Sequence, residues 1–146
     1  MTTVAQIIAS KPDKSIYKTT PDASVFDAVK LMADKSIGAV LVMEGETVVG
    51  IITERDYARK IVLMARSSRD TPVRDIMTSQ VLYVEPGQTS NACMALMTKT
   101  RLRHLPVMDH GKLIGLVSIG DLVKDVISEQ QFTIEQLEHY IAGDRG

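Results

Sequence analysis

The stretch Gly50-Ile-Ile-Thr-Glu-Arg-Asp56 decides the fold. It predicts a short apolar strand that runs into the first turn of a helix, because Thr53 stands where an N-cap is expected and Asp56 follows three residues later, the spacing of a capping box. The pattern returns 65 residues further on as Gly115-Leu-Val-Ser-Ile-Gly-Asp121, with a hydroxyl residue and an aspartate in the same places. A chain that builds one strand-to-helix corner twice indicates an internal repeat.

Both copies predict the order strand, helix, strand, strand, helix. The first has an extended lead-in (Ile16–Thr20), a helix (Ser24–Ser36), two apolar strands (Ala39–Met43, Val48–Thr53) and a helix to about Arg66. The second has a lead-in (Val81–Val84), a helix (Thr89–Arg101) and two strands (Leu105–Met108, Leu113–Val117). The short segment before each lead-in also recurs: Val4–Ile7 returns as Val73–Ile76, and we call these two segments the preludes. Neither copy alone buries enough apolar surface. We therefore predict an α/β (α+β) fold of two β-α-β-β-α repeats, related by a pseudo-twofold axis and packed sheet to sheet.

The predicted boundaries are 1–68 for the first repeat, 69–128 for the second and 129–146 for a C-terminal helical extension. The extension has no counterpart in the first repeat. Its apolar residues recur at near-helical intervals: Leu122, Val126, Ile127, Ile134, Leu137 and Ile141. Gly143 is expected to end this helix, and Phe132-Thr133 is a place where it can divide in two. An apolar stripe with polar flanks fits both packing on the chain's own core and pairing with a partner or a second copy.

Composition excludes several classes of protein. The net charge of −1 gives no reason to expect a nucleic-acid partner. No apolar run approaches the roughly 18 residues of a membrane span. The single cysteine, Cys93, has no companion at metal-ligand spacing and is expected to be a small buried hydrophobe. The N-terminus carries no secretory pattern, so a reducing, cytoplasmic compartment is the expectation.

The two corners have the groups that a nucleoside phosphate needs. Helix N-termini bind anions, and an aspartate accepts both hydrogen bonds of a vicinal diol such as ribose. Glycines in the strands, Gly50 and Gly115, allow a ligand or another backbone to approach. The alternative is that both corners are capping boxes with a purely structural role and bind no ligand.

The sequence resembles the CBS-domain family, whose tandem repeats form a Bateman module, over about Val4 to Ile127. The two corner stretches carry the resemblance together with Asp75-Ile-Met-Thr78 and Arg103-His-Leu-Pro-Val-Met-Asp109. It implies a stand-alone regulatory module for AMP, ADP or ATP, or for S-adenosylmethionine or NAD, with no catalytic cofactor. It also implies flat homodimers.

The resemblance implies which residues form the two sites. At each corner the aspartate holds the ribose and the hydroxyl residue lies near the phosphate. The site of the first corner comprises Thr53, Asp56, Thr78, Val81 and Tyr83. The site of the second comprises Ser118, Asp121, Ile16 and Lys18. Arg55, Arg101, Arg103, His104 and Pro106 complete the nucleotide-binding set, with Arg103 and His104 as phosphate contacts. The alternative for Arg101 and Arg103 is a solvated helix end, and for Arg55 simply water.

Three functions compete. The favoured one is an adenine-nucleotide sensor for signal transduction, which changes its packing, or its contact with a regulated partner protein, when ligand binds. A ligand-independent interaction or dimerisation scaffold is the second. An enzyme is the third and is disfavoured, because the chain has no catalytic triad order, no HExxH and no Walker motif.

Overall fold

The computed structural model describes residues 2–142, and both repeats have the predicted order of elements. The first half comprises α1 (Val4–Ser10), β1 (Lys18–Thr19), α2 (Val25–Lys35), β2 (Ala39–Glu44), β3 (Thr47–Thr53) and α3 (Glu54–Tyr57). The second half comprises a 3-10 turn (Val73–Asp75), α4 (Ser90–Thr100), β4 (His104–Asp109), β5 (Lys112–Ser118) and α5 (Ile119–Ile141).

The two sheets, one of three strands and one of two, contain equivalent hairpins. β2 pairs antiparallel with β3, and β4 pairs in the same way with β5. Each hairpin has its register shift at the same place, between Val42 and Met43 in one and between Val107 and Met108 in the other. β1 lies parallel to β2 in the first sheet, and the predicted second lead-in supplies only a single parallel bridge, Val84 to Val107. The predicted pair of strand-helix-strand-strand-helix repeats is confirmed.

The preludes are exchanged between the repeats. Helix α1 packs into the second repeat, where Val4 and Ile7 join a buried cluster with residues of α4, β4, β5 and α5. The turn that carries Val73 packs into the first repeat, in a cluster with residues of α2, β2 and β3. Backbone bonds fix the exchange, since the Val4 N–H donates to Gln88 O (2.8 Å) and the Val73 N–H donates to Ala23 O (2.8 Å). Each repeat therefore completes the core of the other.

A third cluster joins the two sheets. Its buried residues come from β2 and β3, with Leu41 fully buried, and Leu113 and Leu116 of β5 pack against them from the other repeat. All five described residues of the run Ala39–Met43 are buried, which explains its continuous apolar pattern. The sheets thus face each other across an aliphatic layer.

Two helices end at the predicted residues, and each ends in a left-handed residue. Helix α2 ends at Ser36, which takes the left-handed conformation (φ 54°) two residues before Gly38. The Ile37 N–H donates back to Met32 O (2.9 Å), and this Schellman-type bond with the packing of Ile37 holds the turn. Arg101 does the same after α4 (φ 60°).

Helix α3 is shorter than predicted, because after Tyr57 the chain passes into a π-helical segment, Ala58–Val62. Helix α5, in contrast, is unbroken through Phe132 and Thr133, and the Thr133 hydroxyl bonds within the helix to Glu129 O (3.0 Å). The predicted stop at Gly143 lies outside the described residues. Among residues 2–142, no helix is long and apolar enough to cross a membrane.

Candidate functional site

Both corners are capping boxes, as predicted. At the first, the Asp56 N–H donates to Thr53 Oγ1 (3.1 Å) and the Thr53 N–H donates to Asp56 Oδ2 (3.0 Å). At the second, the Asp121 N–H donates to Ser118 Oγ (3.2 Å) and the Ser118 N–H donates to Asp121 Oδ2 (2.9 Å). The caps orient both aspartates. The groups around each carboxylate then determine which ligand it can bind.

A cavity of about 800 Å³ lies beside the Asp56 corner and draws its walls from both repeats. A cavity of this size falls in the range of small-molecule sites. The first repeat contributes the corner itself and Gly38. The second contributes the segment around Val81 and the turn from α4 into β4. The full lining is Gly38, Ile51, Thr53, Glu54, Arg55, Asp56, Arg59, Lys60, Thr78, Gln80, Val81, Leu82, Thr100, Arg101, Leu102, Arg103, His104 and Pro106.

Positive charge dominates this cavity. Five arginine and lysine side chains stand among its lining residues against two carboxylates, Glu54 and Asp56. Lys60 pairs with Asp56 one helical turn earlier, Nζ to Oδ1 at 3.3 Å, and also donates to Ile76 O (2.9 Å). One oxygen of Asp56 therefore serves the cap, and the other faces a lysine that is 45% exposed.

The Asp121 corner is occupied by the chain itself. Lys11, just after α1, places Nζ 3.1 Å from Asp121 Oδ2 and donates to Leu116 O (2.8 Å). The equivalent carbonyl of the first repeat, Ile51 O, instead accepts from the Thr78 N–H (2.9 Å). An ammonium group thus replaces a backbone donor and neutralises Asp121. Asp56 also pairs with a lysine, but Asp56 lines the cavity and Asp121 does not.

The strand glycines accommodate the exchanged preludes rather than open space. A Cβ on Gly50 would lie 2.6 Å from Met77 Sδ and 3.1 Å from Thr78 O. A Cβ on Gly115 would lie 2.8 Å from Ile8 Cδ1. The close approach predicted at these positions is therefore made by the chain's own segments.

His104 lies at the junction of the two corners. Its Cε1 would be 3.6 Å from a Cβ built on Gly38, and it pairs with Ser118 across β4 and β5. Burial lowers the pKa of His104, the nearby Asp121 carboxylate opposes this, and the Lys11 and Arg103 charges lower the pKa further. At neutral pH this side chain is a neutral hydrogen-bonding group rather than a fixed cation.

The structure gathers most of the predicted site residues and separates the rest. The cavity is lined by Thr53, Arg55, Asp56, Thr78, Val81, Arg101, Arg103, His104 and Pro106. Tyr83 was assigned to the same site but lies outside it, in a smaller cavity of about 300 Å³ that Val81 and Pro106 also border. Ile16, Lys18, Ser118 and Asp121 do not line the main cavity, because Ile16 packs in the inter-sheet cluster and Lys11 occupies the Asp121 corner.

Sequence reasoning missed three cations. Arg59 and Lys60 line the cavity, and the one-turn spacing from Asp56 to Lys60 is a signal that could have found the second of them. Lys11 gave no comparable signal, because it reaches Asp121 only through the exchange of α1. Within the described residues, no group of three or more His, Cys, Asp or Glu side chains could hold a metal ion.

Comparison with known proteins places this architecture among relatives. The family model described as "CBS domain" matches residues 4–63 and 73–128. The structure of a protein with CBS domains from Burkholderia ambifaria MC40-6 is 63% identical, covers 91% of this chain and 99% of that one, and superposes with a TM-score of 0.86. The mitochondrial CBS domain-containing protein CBSX3 of Arabidopsis thaliana is 42% identical over 97% of this chain and 73% of its own length. The crystal structure of CBSX2 in complex with AMP is 26% identical, with a TM-score of 0.74 over 89% of this chain and 99% of that one.

Proposed function

This chain belongs to the CBS-domain family, and from that premise we propose that it is a regulatory module that binds one adenine nucleotide in the cavity beside Asp56. The observation that carries the proposal is the make-up of the cavity: an oriented carboxylate, Asp56, together with a group of arginine and lysine side chains from both repeats. A nucleotide offers the matching groups, a ribose diol for the carboxylate and phosphates for the cations. The AMP bound by the relative CBSX2 supports the adenine base.

The charge of the cavity selects the class of ligand. Five arginine and lysine side chains against two carboxylates leave an excess of positive charge, which attracts phosphate and repels the sulfonium of S-adenosylmethionine. AMP, ADP and ATP are therefore the favoured ligands, and NAD, which also carries phosphates, comes after them. We expect affinity to rise with the number of phosphates and to fall as salt is added.

The mechanism follows from the cavity having walls from two repeats. Asp56 belongs to the first repeat, whereas Arg101 and Arg103 belong to the second. A nucleotide that contacts all three is held best by one relative placement of the repeats, and it favours that placement in proportion to its differential affinity. A partner protein that contacts both repeats can then sense the ligand. No catalytic step is part of this proposal.

Isothermal titration calorimetry with AMP, ADP and ATP tests the ribose role. In Asp56→Asn the side chain keeps an oxygen for the cap but loses the negative charge that accepts two diol hydrogen bonds. Hydrogen bonds to a charged group contribute about 1.5–3 kcal/mol, so we expect at least a tenfold weaker affinity.

The matched control is Asp121→Asn, which makes the same change at the second corner, where Lys11 holds the carboxylate. The control should bind nucleotide as the unmodified chain does. Equal affinity in all three proteins, or an equal loss in both variants, would remove Asp56 from the site.

A ligand-independent scaffold is the second candidate, and the exposed second half of α5 favours it. Thermal unfolding separates the two functions. A nucleotide sensor gains stability with ligand by mass action, about 2.7 kcal/mol at a ligand concentration one hundred times Kd. A scaffold shows no shift with any adenine ligand. For either function we propose a reducing compartment such as the cytoplasm, in which the buried Cys93 stays a thiol.

A further inference from the structure

The second half of α5 extends beyond the body of the chain. From residue 128 to residue 142 every described side chain is exposed, whereas Leu122 earlier in the same helix is fully buried. Most of the stability of helices in proteins comes from packing of an apolar face, so a packing partner would stabilise this projecting segment.

The projecting helix carries a heptad seam. Ile127, Ile134 and Ile141 repeat every seventh residue, and Val123, Gln130 and Leu137 repeat four residues before each of them. The five apolar members are 47–82% exposed. The isoleucines give one core position β-branched residues, and Leu137 gives the other a leucine; this combination is typical of two-stranded parallel coiled coils.

The seam lies on a different side of α5 from the side that packs on the core of its own chain. Leu122 is buried and Val126 is half-buried, and both lie on the side of α5 that packs on the second repeat. A helix turns by about 100° per residue, so the seam is centred roughly 80–100° around the helix from that side. Its apolar side chains are exposed, so a second helix can lie along the seam. The lining of the nucleotide cavity includes no residue of α5.

We propose that the seam pairs with the seam of a second copy of this chain in a parallel, two-stranded coiled coil. In this arrangement each seam residue packs against the same residue of the second copy. Gln130 then lies beside Gln130 of the second copy, and the two side-chain amides can hydrogen-bond to each other.

The antiparallel alternative places Lys124 near Glu138 of the second copy but sets Gln130 against Ile134 of that copy. An exposed ion pair contributes less than an unsatisfied buried amide costs, so the parallel arrangement is favoured.

Sedimentation equilibrium of the full chain at micromolar concentration tests the pairing. The expected mass is twice the 16.1 kDa of one chain. Ile134→Asp combined with Leu137→Asp should give monomers, with at least a hundredfold weaker dimerisation. Both positions are exposed, so the fold of the two repeats persists, and a cooperative urea unfolding transition shows this.

The matched control is Phe132→Asp, which removes a side chain that is 64% exposed on the same helix but lies off the seam. It should remain dimeric. A monomeric unmodified chain, a dimer that survives the double substitution, or a control that dissociates equally would each overturn the proposal.

Oxidation of Leu137→Cys tests the direction. Parallel helices bring the two introduced thiols together and give a disulfide-linked dimer, whereas antiparallel pairing separates them by about 15 Å along the helix axis. The native Cys93 is buried and does not compete. Absence of the crosslink in a dimeric protein would overturn the parallel arrangement.

Discussion

Substitution of alanine for the two strand glycines should have unequal effects, although the glycines occupy equivalent places. In Gly50→Ala the new methyl group would meet Met77 Sδ at 2.6 Å and the backbone oxygen of Thr78 at 3.1 Å. Met77 can turn aside, but Thr78 O cannot, because it accepts from the Ile51 N–H (3.0 Å) while the Thr78 N–H donates to Ile51 O (2.9 Å). Room for the methyl group must come from separating these two segments.

The magnitude follows from these contacts. Overpacking costs about 1–3 kcal/mol, and weakening the two backbone bonds adds about 1 kcal/mol each. Replacing glycine by alanine also raises the free energy of unfolding by about 0.4–1 kcal/mol, because it lowers the conformational entropy of the unfolded chain. The net loss for Gly50→Ala is about 2–5 kcal/mol. In Gly115→Ala the methyl group meets only the side chain of Ile8, at 2.8 Å from Cδ1, and that flexible end can move. The net change there is about 1 kcal/mol or less.

Urea unfolding of both variants measures the difference. Since m is about 1–3 kcal/mol/M for chains of this size, a 2 kcal/mol gap separates the two midpoints by roughly 1 M. Gly50→Ala should also weaken nucleotide binding, because Thr78 lines the cavity. A Gly115→Ala protein as unstable as Gly50→Ala would show that side-chain contacts, rather than the Thr78 backbone, set the cost, and the reasoning would fail.

Other predictions concern single side chains. Lys11→Ala should free the Asp121 carboxylate and raise the number of nucleotides bound per chain from one towards two, which calorimetry measures. Burial lowers the pKa of His104 from its usual 6.5, so the unfolded chain binds a proton at a higher pH than the folded chain does. The free energy of unfolding should therefore fall as the pH drops below about 6.5. Urea unfolding at pH 7 and pH 5 measures this loss of stability, and His104→Gln should reduce it. Ser36→Gly should raise the free energy of unfolding by about 0.5–1 kcal/mol, measured by urea unfolding, because glycine adopts the left-handed conformation without strain. Burial raises the pKa of the Cys93 thiol, so a thiol reagent should label it only after unfolding.

Local features of this chain could be predicted from its sequence, and long-range ones could not. The caps at Thr53 and Asp56 depend on three neighbouring residues, so their spacing alone predicted both the corner and its geometry. The repeat then predicted the order of elements. The neutralisation of Asp121 depends on Lys11, which is distant in sequence and reaches it only because α1 packs on the other repeat. No periodicity carries that information.

The helix ends show the same division. Glycine is the residue that local preference favours for a left-handed helix end, yet α2 ends at Ser36, two residues before Gly38. The bond from the Ile37 N–H to Met32 O and the packing of the partly buried Ile37 hold this end. Tertiary packing overrode a local preference there. Tyr83 likewise borders the smaller cavity, whereas Val81 of the same lead-in borders both cavities.

The exchanged preludes also set the order of events during synthesis. The ribosome makes α1 first, but its partners, Gln88 and the core of the second repeat, emerge only after more than half of the chain has been made. The first repeat likewise waits for Val73 before its own core is complete. Contacts between such distant parts of a chain slow folding. The nascent first repeat therefore has an incomplete core. Both cores are completed late in translation, when the two exchanged preludes can pack on their partner repeats.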